Sequence, residues 1–186
     1  VWHSEEDITE EHLLLIGNPD SNPSGFLLEF ITCFQDDTRF DVRVLAKQQT
    51  EGSFDVAIEQ AAIDAAESVV MHFPIYWYSM PAMLKWWVDS VFTYGWAFDE
   101  NGGSMQEKPF LSSVTTGSSL ESYSPDGSNL RSLSSYLHHV ERTAEYAGFN
   151  YLGVVATDQT RSEHPNESAL NLKKAICDTL GISVTA

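Results

Sequence analysis

The chain has 186 residues, 42% of them hydrophobic, and its 27 acidic against 10 basic side chains give a formal net charge of −17 at pH 7. This length suits one domain with its own core, and the charge excludes nucleic acid and anionic membrane surfaces as partners. The apolar runs are too short to span a bilayer, and the acidic N-terminus lacks the pattern of a secretory signal. We predict an acidic arm over residues 1–11 and a single domain over residues 12–186.

Strands and helices are predicted to alternate in the first half of the chain. Strands are predicted at 12–17, at 40–45, with the pattern of a half-exposed edge strand, and at 68–73, apolar as at a sheet centre. Helices are predicted at about 24–34 and 54–66. The apolar residues at helical spacing are Phe26, Leu27, Phe30 and Ile31 in the first helix and Ile58, Ala61, Ala62 and Ala65 in the second.

The second half continues this alternation. Helices are predicted at about 81–94, 129–147 and 166–181, and strands at 110–115 and 151–156. Pro81 stands in a first helical turn, Asn166 is a candidate N-cap, and Gly148 and Gly181 are typical helix stops. Five strands alternating with five helices predict an α/β fold of three layers, in which helices cover both faces of a five-stranded parallel sheet.

The two cysteines indicate neither a disulfide framework nor a metal site. Cys33 and Cys177 have no metal-ligand or redox spacing, as is usual in a reducing cytoplasm, and each is expected to lie on a helix as a small buried hydrophobe. His138 and His139 are adjacent and cannot share a helix face. We therefore expect a cytoplasmic protein without a metal.

Three loops with unusual chemistry follow the first, third and fourth strands. They read "GNPDSNPSG", "PIYWYSMP" and "TTGSSLESY". Because the carboxyl ends of parallel strands meet at one edge of a sheet, and ligands of such sheets bind there, these loops are expected to converge on a site.

The first and third loops each admit a functional and an ordinary interpretation. In the first, Asn18, Ser24 and Gly25 precede a helix, so hydroxyls and free helix N–H groups form either an anion site or a polar turn with a serine N-cap. In the third, small residues let a planar ligand approach the backbone, and Tyr123 offers an aromatic wall; taken alone, it is equally an ordinary loop.

The second loop lies in the most aromatic part of the chain, because residues 74–98 hold four of the five tryptophans. Tyr76, Trp77 and Tyr78 are consecutive at a strand end and cannot all point into one core. For Trp77 and Tyr78, binding of a flat ligand and core packing are therefore alternative interpretations. Trp86 lies off the apolar stripe of the following helix, and an exposed tryptophan indicates a partner surface. That stripe, read as core or subunit interface, consists of Met83, Leu84, Trp87, Val88 and Val91.

The stretches "FDVAIEQAAIDAAESVVMHFPIYWYSMPAMLKWWVDSVFTYGWAF", "EKPFLSSVTTGSSLESY" and "YAGFNYLGVV" closely resemble the NAD(P)H:quinone oxidoreductase family of flavodoxin-like flavoproteins. This family includes the ancillary oxidoreductases of glutathione-regulated potassium efflux systems. The resemblance covers roughly residues 12–160. It implies a flavodoxin-like sheet of order 2-1-3-4-5, non-covalent FMN or FAD, and a homodimer with active sites at the subunit interface. FMN is expected rather than FAD because the chain is short.

The resemblance also implies roles for individual residues. Tyr123 and Asn129 would face the nicotinamide or the quinone as the catalytic residues, and Trp96 and Phe98 would lie near the dimer interface. The cofactor-binding residues would be Asn18, Ser24, Pro74, Tyr76, Trp77, Tyr78, Ser79, Thr115, Thr116, Gly117 and Ser118.

The chain departs from the family where phosphate binding is decided. Asn18 stands at the usual histidine, Leu27 at the usual asparagine, and Ser118 at a second glycine, whereas Ser24 is kept. Each of the two lost polar partners would weaken phosphate binding by on the order of 1–3 kcal/mol. Backbone N–H groups at the helix start could still hold the phosphate. The departures leave open a flavin that is weakly held, lost in purification or absent.

The leading interpretation is an FMN-dependent NAD(P)H dehydrogenase of the quinone type, which passes a hydride from NAD(P)H to the flavin and then to a quinone or similar acceptor. The alternative is an ancillary or regulatory protein with weak or no flavin binding, which contacts the cytosolic domain of a potassium efflux transporter. A one-electron carrier of the flavodoxin type ranks third, because the first loop lacks the hydroxyl-rich phosphate cradle of such carriers.

Overall fold

Strands and helices alternate along residues 12–50 and 52–183, the part of the chain that the computed structural model describes. In chain order they are β1 (His12–Ile16), α1 (Phe26–Gln35), β2 (Phe40–Val44), β3 (Gln49–Thr50), β4 (Ser53–Phe54), α2 (Val56–Ala65), β5 (Val69–Pro74), α3 (Ala82–Val91), β6 (Phe98–Asp99), β7 (Gly102–Gly103), β8 (Pro109–Thr115), α4 (Leu133–Tyr146), β9 (Asn150–Thr157) and α5 (Pro165–Leu180). The predicted acidic arm, residues 1–11, lies outside these ranges.

The main sheet has five parallel strands in the order β2-β1-β5-β8-β9. Counted within this sheet alone, the order is 2-1-3-4-5, which confirms the predicted flavodoxin-like arrangement. The remaining short strands form two antiparallel pairs, β3-β4 and β6-β7, which the sequence pattern did not predict because each strand has only two residues.

The core has two apolar clusters, one on each face of the sheet. Leu13 and Leu15 of β1 point into one of them and Leu14 and Ile16 into the other, as successive residues of a strand do. Helices α2, α3 and α4 cover the first cluster, and α1 and α5 cover the second. The three predicted layers are therefore present.

Three local predictions are wrong. On α2, Ile58 is 55% exposed, and Glu59 and Ile63 face the core. The fourth helix begins at Leu133 instead of residue 129, because Ser132 caps it by accepting the Ser135 N–H. The last helix begins with Pro165 in its first turn and has His164 rather than Asn166 at the cap.

Both cysteines lie on helices as expected. Cys177 on α5 is fully buried and Cys33 on α1 is half-buried. Burial raises the pKa of both thiols, that of Cys33 to about 11, so both are protonated at neutral pH. Protonated, shielded thiols pack as small hydrophobes. Across the described ranges, none of the helices is both long and apolar enough to cross a membrane.

Candidate functional site

The loops after β1, β5 and β8 begin side by side, as the sheet order requires. The Gly17 N–H donates to the His72 carbonyl at 2.7 Å, and the Ile75 N–H donates to the Thr115 carbonyl at 2.9 Å. The Thr116 N–H donates to the carbonyl of Thr157, at the end of β9, at 3.0 Å. The predicted convergence of the three loops at the carboxyl edge is therefore observed.

The second loop is a tight turn across Tyr76 and Ser79, whose backbone groups exchange hydrogen bonds of 2.9 and 3.0 Å. The two central residues, Trp77 and Tyr78, have φ values of 49° and 65°. This left-handed conformation costs a residue other than glycine roughly 1–2 kcal/mol. Such strain persists only where the surroundings impose it, and it is concentrated at functional sites.

This turn exposes its aromatic residues and two hydrogen-bond donors. Trp77 is 95% exposed, and Tyr76 and Tyr78 are each 47% exposed, so none of the three rings belongs to the core. Within the described ranges, neither the Trp77 N–H nor the Tyr78 N–H donates a hydrogen bond. The turn therefore offers a flat apolar surface beside free backbone donors.

The third loop also offers free donors. Thr115 and Thr116 are buried, and the Thr116 hydroxyl donates to the Ser118 carbonyl at 2.7 Å. The N–H groups of Gly117, Ser118 and Ser119 find no acceptor among the described residues. Asp158 then anchors the loop by accepting the Leu120 N–H at 3.0 Å.

Gly117 is not required by the protein's own structure. Its φ lies outside the left-handed region, and a Cβ added there would meet nothing within 4 Å. Neither backbone conformation nor packing therefore explains a glycine at this position. What a glycine provides here is close access of another molecule to the neighbouring N–H groups.

In the first loop, the Asn18 side chain accepts the Asp20 N–H at 2.9 Å, so its carbonyl oxygen is engaged within the loop. Gly25, not Ser24, is the N-cap of α1, and no side chain caps this helix. The N–H groups of the first turn of α1 consequently have no acceptor in the described chain. Such a helix start favours an anion. Leu27, the residue at the family's asparagine, packs against the core.

The two predicted catalytic residues differ in their surroundings. Burial, together with the neighbouring Tyr78 and Tyr136, raises the pKa of the Tyr123 phenol. Asn129 is only 9% exposed, and its side-chain amide donates to the Ser122 hydroxyl at 2.6 Å. Asn129 therefore holds its own loop together, and its contact with a substrate stays a prediction.

Two residues of α4 that the sequence analysis did not select reach the second loop. The ring of Tyr136 stacks on that of Tyr78, with centroids 4.8 Å apart and an interplanar angle of 26°. The Nε2 atom of His139 lies 3.2 Å from the Ser79 hydroxyl oxygen. The i, i+3 spacing of these two residues places both on one face of α4, and it is the sequence feature by which they could have been identified.

His72, near the end of β5, is not a catalytic candidate. It is fully buried, its Nδ1 lies 2.9 Å from the Ser113 hydroxyl, and its ring stacks on Phe30 at 4.1 Å. Burial lowers its pKa to about 3, so the ring is neutral at physiological pH.

A separate cleft of about 470 Å³ lies between α3 and α4. Its apolar part includes Val88, Phe98 and Tyr146, and its rim carries Lys85 and Arg142. Tyr146 is 62% exposed and contacts the Phe98 ring, with centroids 5.3 Å apart. This cleft is distinct from the site at the strand ends.

The sheet order defines a flavodoxin-like α/β protein, and the three donor-bearing loops at its carboxyl edge form the candidate site. A family model described as "Flavodoxin-like fold" matches residues 10–180, and the chain belongs to this family. This confirms the family resemblance that the sequence motifs indicated.

Curated relatives agree with this assignment. General stress protein 14 of Bacillus subtilis is 40% identical over 111 residues, which span 60% of this chain and 63% of that protein, less than two thirds of its length. The uncharacterized NAD(P)H oxidoreductase YdeQ of the same organism is 31% identical over 75% of this chain and 71% of its own. The glutathione-regulated potassium-efflux system ancillary protein KefF of Klebsiella pneumoniae is 37% identical over 60% of this chain and 62% of its own.

Two solved structures share the fold closely. A general stress protein 14 of Treponema denticola, crystallised in complex with FMN, is 28% identical, with a TM-score of 0.82 over 91% of this chain and 99% of that one. A structure described as a thermophilic tryptophan halogenase from Streptomycin violaceusniger is 29% identical, with a TM-score of 0.81 over 88% of this chain and 97% of that one. Proteins with different names thus share this fold, so the fold alone does not assign an activity to this chain.

Proposed function

We propose that this chain is a flavin-dependent NAD(P)H oxidoreductase that binds FMN at the strand ends and reduces a quinone or similar acceptor. The observation that carries the proposal is the third loop, where successive free N–H groups follow Gly117 in open space. A relative named as an NAD(P)H oxidoreductase and a neighbour crystallised with FMN support it.

The residues present fit the chemistry of FMN. Its isoalloxazine ring is flat, with oxygen and nitrogen acceptors along one edge, and the exposed ring of Trp77 and the free donors of both loops match these features. Its phosphate needs an anion site, which the uncapped start of α1 provides without a lysine. The Asn18 side-chain oxygen already accepts the Asp20 N–H, and Leu27 has no polar side-chain atom. The phosphate would therefore be bound by backbone groups and by hydroxyls such as that of Ser24.

When bound, FMN supplies the transfer of a hydride from NAD(P)H to the acceptor. The chain contributes binding and orientation through its loop N–H groups, and its aromatic side chains exclude water from the site. The Tyr123 hydroxyl is protonated at neutral pH, as a phenol ordinarily is, and burial raises its pKa further, so it can donate a hydrogen bond to an acceptor oxygen. The described site needs no strong acid or base.

The proposed enzyme works as a cytoplasmic homodimer. The cleft between α3 and α4 is lined by Phe98 and by Tyr146, which is 62% exposed, and Tyr94, which is 67% exposed, contacts the Phe98 ring next to the cleft. A second copy of the chain would remove this apolar surface from water. Sedimentation equilibrium tests the proposal, and a monomer at all concentrations would contradict it.

The function is tested by titrating the purified protein with FMN and following tryptophan fluorescence. We expect saturable quenching with a dissociation constant in the low micromolar range or below. Trp77→Phe should remove most of the quenching, whereas the matched control Trp86→Phe, changed outside the loops, should retain it. Tyr123→Phe should then lower the rate of NAD(P)H oxidation with a quinone. Absence of binding by both FMN and FAD would overturn the proposal.

An ancillary role in a potassium efflux system is the second candidate. Ile58 and Trp86 lie on adjacent helices α2 and α3 and are 55% and 40% exposed, which gives a surface for a partner outside the cofactor site. The similarity to KefF favours the cytosolic domain of an efflux transporter as that partner. Two results would favour this role. A variant that no longer binds FMN should still bind such a domain, and Trp86→Ala should abolish that binding.

A further inference from the structure

The strained turn at residues 76–79 needs support from outside itself. Its cross-turn hydrogen bonds join only Tyr76 and Ser79, and Trp77 is too exposed to hold the turn by packing. Left-handed backbone at two consecutive aromatic residues persists only if other contacts favour it. These contacts come from α4.

The first contact is a hydrogen bond between Ser79 and His139. The Nδ1 atom of His139 lies 3.0 Å from the Tyr136 carbonyl, which only accepts, so Nδ1 carries a proton. In the neutral ring Nε2 is then the acceptor, and the Ser79 hydroxyl donates to it across 3.2 Å. The main chain of α4 therefore orients the imidazole toward the turn.

The second contact is the stack of Tyr136 on Tyr78, one of the two left-handed residues. The Tyr136 hydroxyl also donates to the Asn129 carbonyl at 2.5 Å, and its ring meets that of Tyr123 edge-on at 6.2 Å. Tyr136 thus contacts the second loop through Tyr78 and the segment after the third loop through Asn129.

We propose that Tyr136 and His139 are positioning residues, which hold the turn at residues 76–79 in the conformation that presents the Trp77 and Tyr78 N–H groups and the Trp77 ring to the flavin. The inference rests on the proposed function for its ligand. The support of the turn itself is a property of the apoprotein, and it is tested without flavin.

The test compares His139→Leu with His138→Leu, a matched change one residue earlier, at an exposed side chain that contacts Glu141 instead of the turn. Amide hydrogen exchange of Ser79 and Tyr76 is measured in the apoprotein. We expect His139→Leu to accelerate exchange at both amides by about tenfold, because the turn opens more often, and to weaken FMN binding by a similar factor. His138→Leu should change neither. His139→Gln, whose side-chain oxygen can accept the Ser79 proton, should restore both.

Tyr136 is tested with Tyr136→Phe, which keeps the stack, and Tyr136→Leu, which loses it. Exchange at Ser79 should stay slow in the first and rise in the second, while global stability from urea unfolding separates local opening from general destabilisation. The inference is overturned if His139→Leu and His138→Leu have equal exchange rates at residues 76 and 79. If the unmodified protein binds no FMN, the proposed function fails, and the exchange rates still decide whether α4 holds the turn.

Discussion

The indole Nε1 of Trp87 donates a hydrogen bond of 3.0 Å to a carboxylate oxygen of Glu59, inside the core between α2 and α3. Trp87 is fully buried and Glu59 is 2% exposed. The other carboxylate oxygen accepts from Arg43 on β2 at 2.6 Å. This pairing explains why a charged residue, and not the apolar Ile58, occupies the buried face of α2.

We predict that Arg43→Met lowers the free energy of unfolding by about 3 kcal/mol or more, because it leaves the buried Glu59 carboxylate without its charge partner. The double variant Arg43→Met/Glu59→Gln should recover most of this loss, since no unpaired charge is then buried and the introduced amide oxygen still accepts the Trp87 N–H. Urea unfolding measures both. Equal losses in the single and double variants would show that the ion pair does not carry the effect.

Gly117 should be required by the ligand and not by the fold. We expect Gly117→Ala to change the free energy of unfolding by no more than about 0.5 kcal/mol, because a Cβ at this position meets nothing within 4 Å. The same methyl group would obstruct a flavin at the loop N–H groups, so FMN affinity should fall by at least about tenfold. Thermal unfolding and FMN titration measure the two effects. Unchanged affinity would place the ligand elsewhere.

Relief of the backbone strain in the second loop should raise the free energy of unfolding while FMN affinity falls. Trp77→Gly removes a left-handed non-glycine residue whose side chain is 95% exposed, so little packing is lost. The relieved strain exceeds the extra chain entropy of glycine, and the free energy of unfolding should rise by up to about 1 kcal/mol. FMN affinity should fall with loss of the ring. A variant less stable than the unmodified protein would contradict this account.

The pH dependence of stability should report on His72, whose pKa burial lowers from 6.5 to about 3. The unfolded chain takes up a proton at this residue below pH 6.5 and the folded protein does not. Stability from the neutral ring is therefore complete above pH 6.5 and is lost as the pH falls toward 3. His72→Phe should lose stability less steeply than the unmodified protein between about pH 7 and pH 5, by urea unfolding. Parallel profiles would argue against a buried neutral histidine.

The sequence predicted what depends on local pattern. Apolar runs and apolar–polar alternation located the strands of the sheet, apolar residues at helical spacing located its helices, and a long aromatic motif with a threonine-containing loop indicated the family. The order of the strands followed from that resemblance, and the convergence of the loops followed from the geometry of parallel sheets. The sequence therefore already indicated the second and third loops as parts of the candidate site.

The tertiary structure decided what depends on contacts between distant segments. Glu59 faces the core only because Arg43 and Trp87, from two other elements, meet it there. The sequence "YWYS" has neither glycine nor asparagine to signal a left-handed turn, which His139 of α4 supports. Sequence by itself thus determined the five main strands, the five helices, the family and the loops of the candidate site. These features follow from short-range periodicity and from sequence motifs. Only the folded chain determined which polar groups are paired and which are free to bind, because the pairing partners lie far apart along the chain.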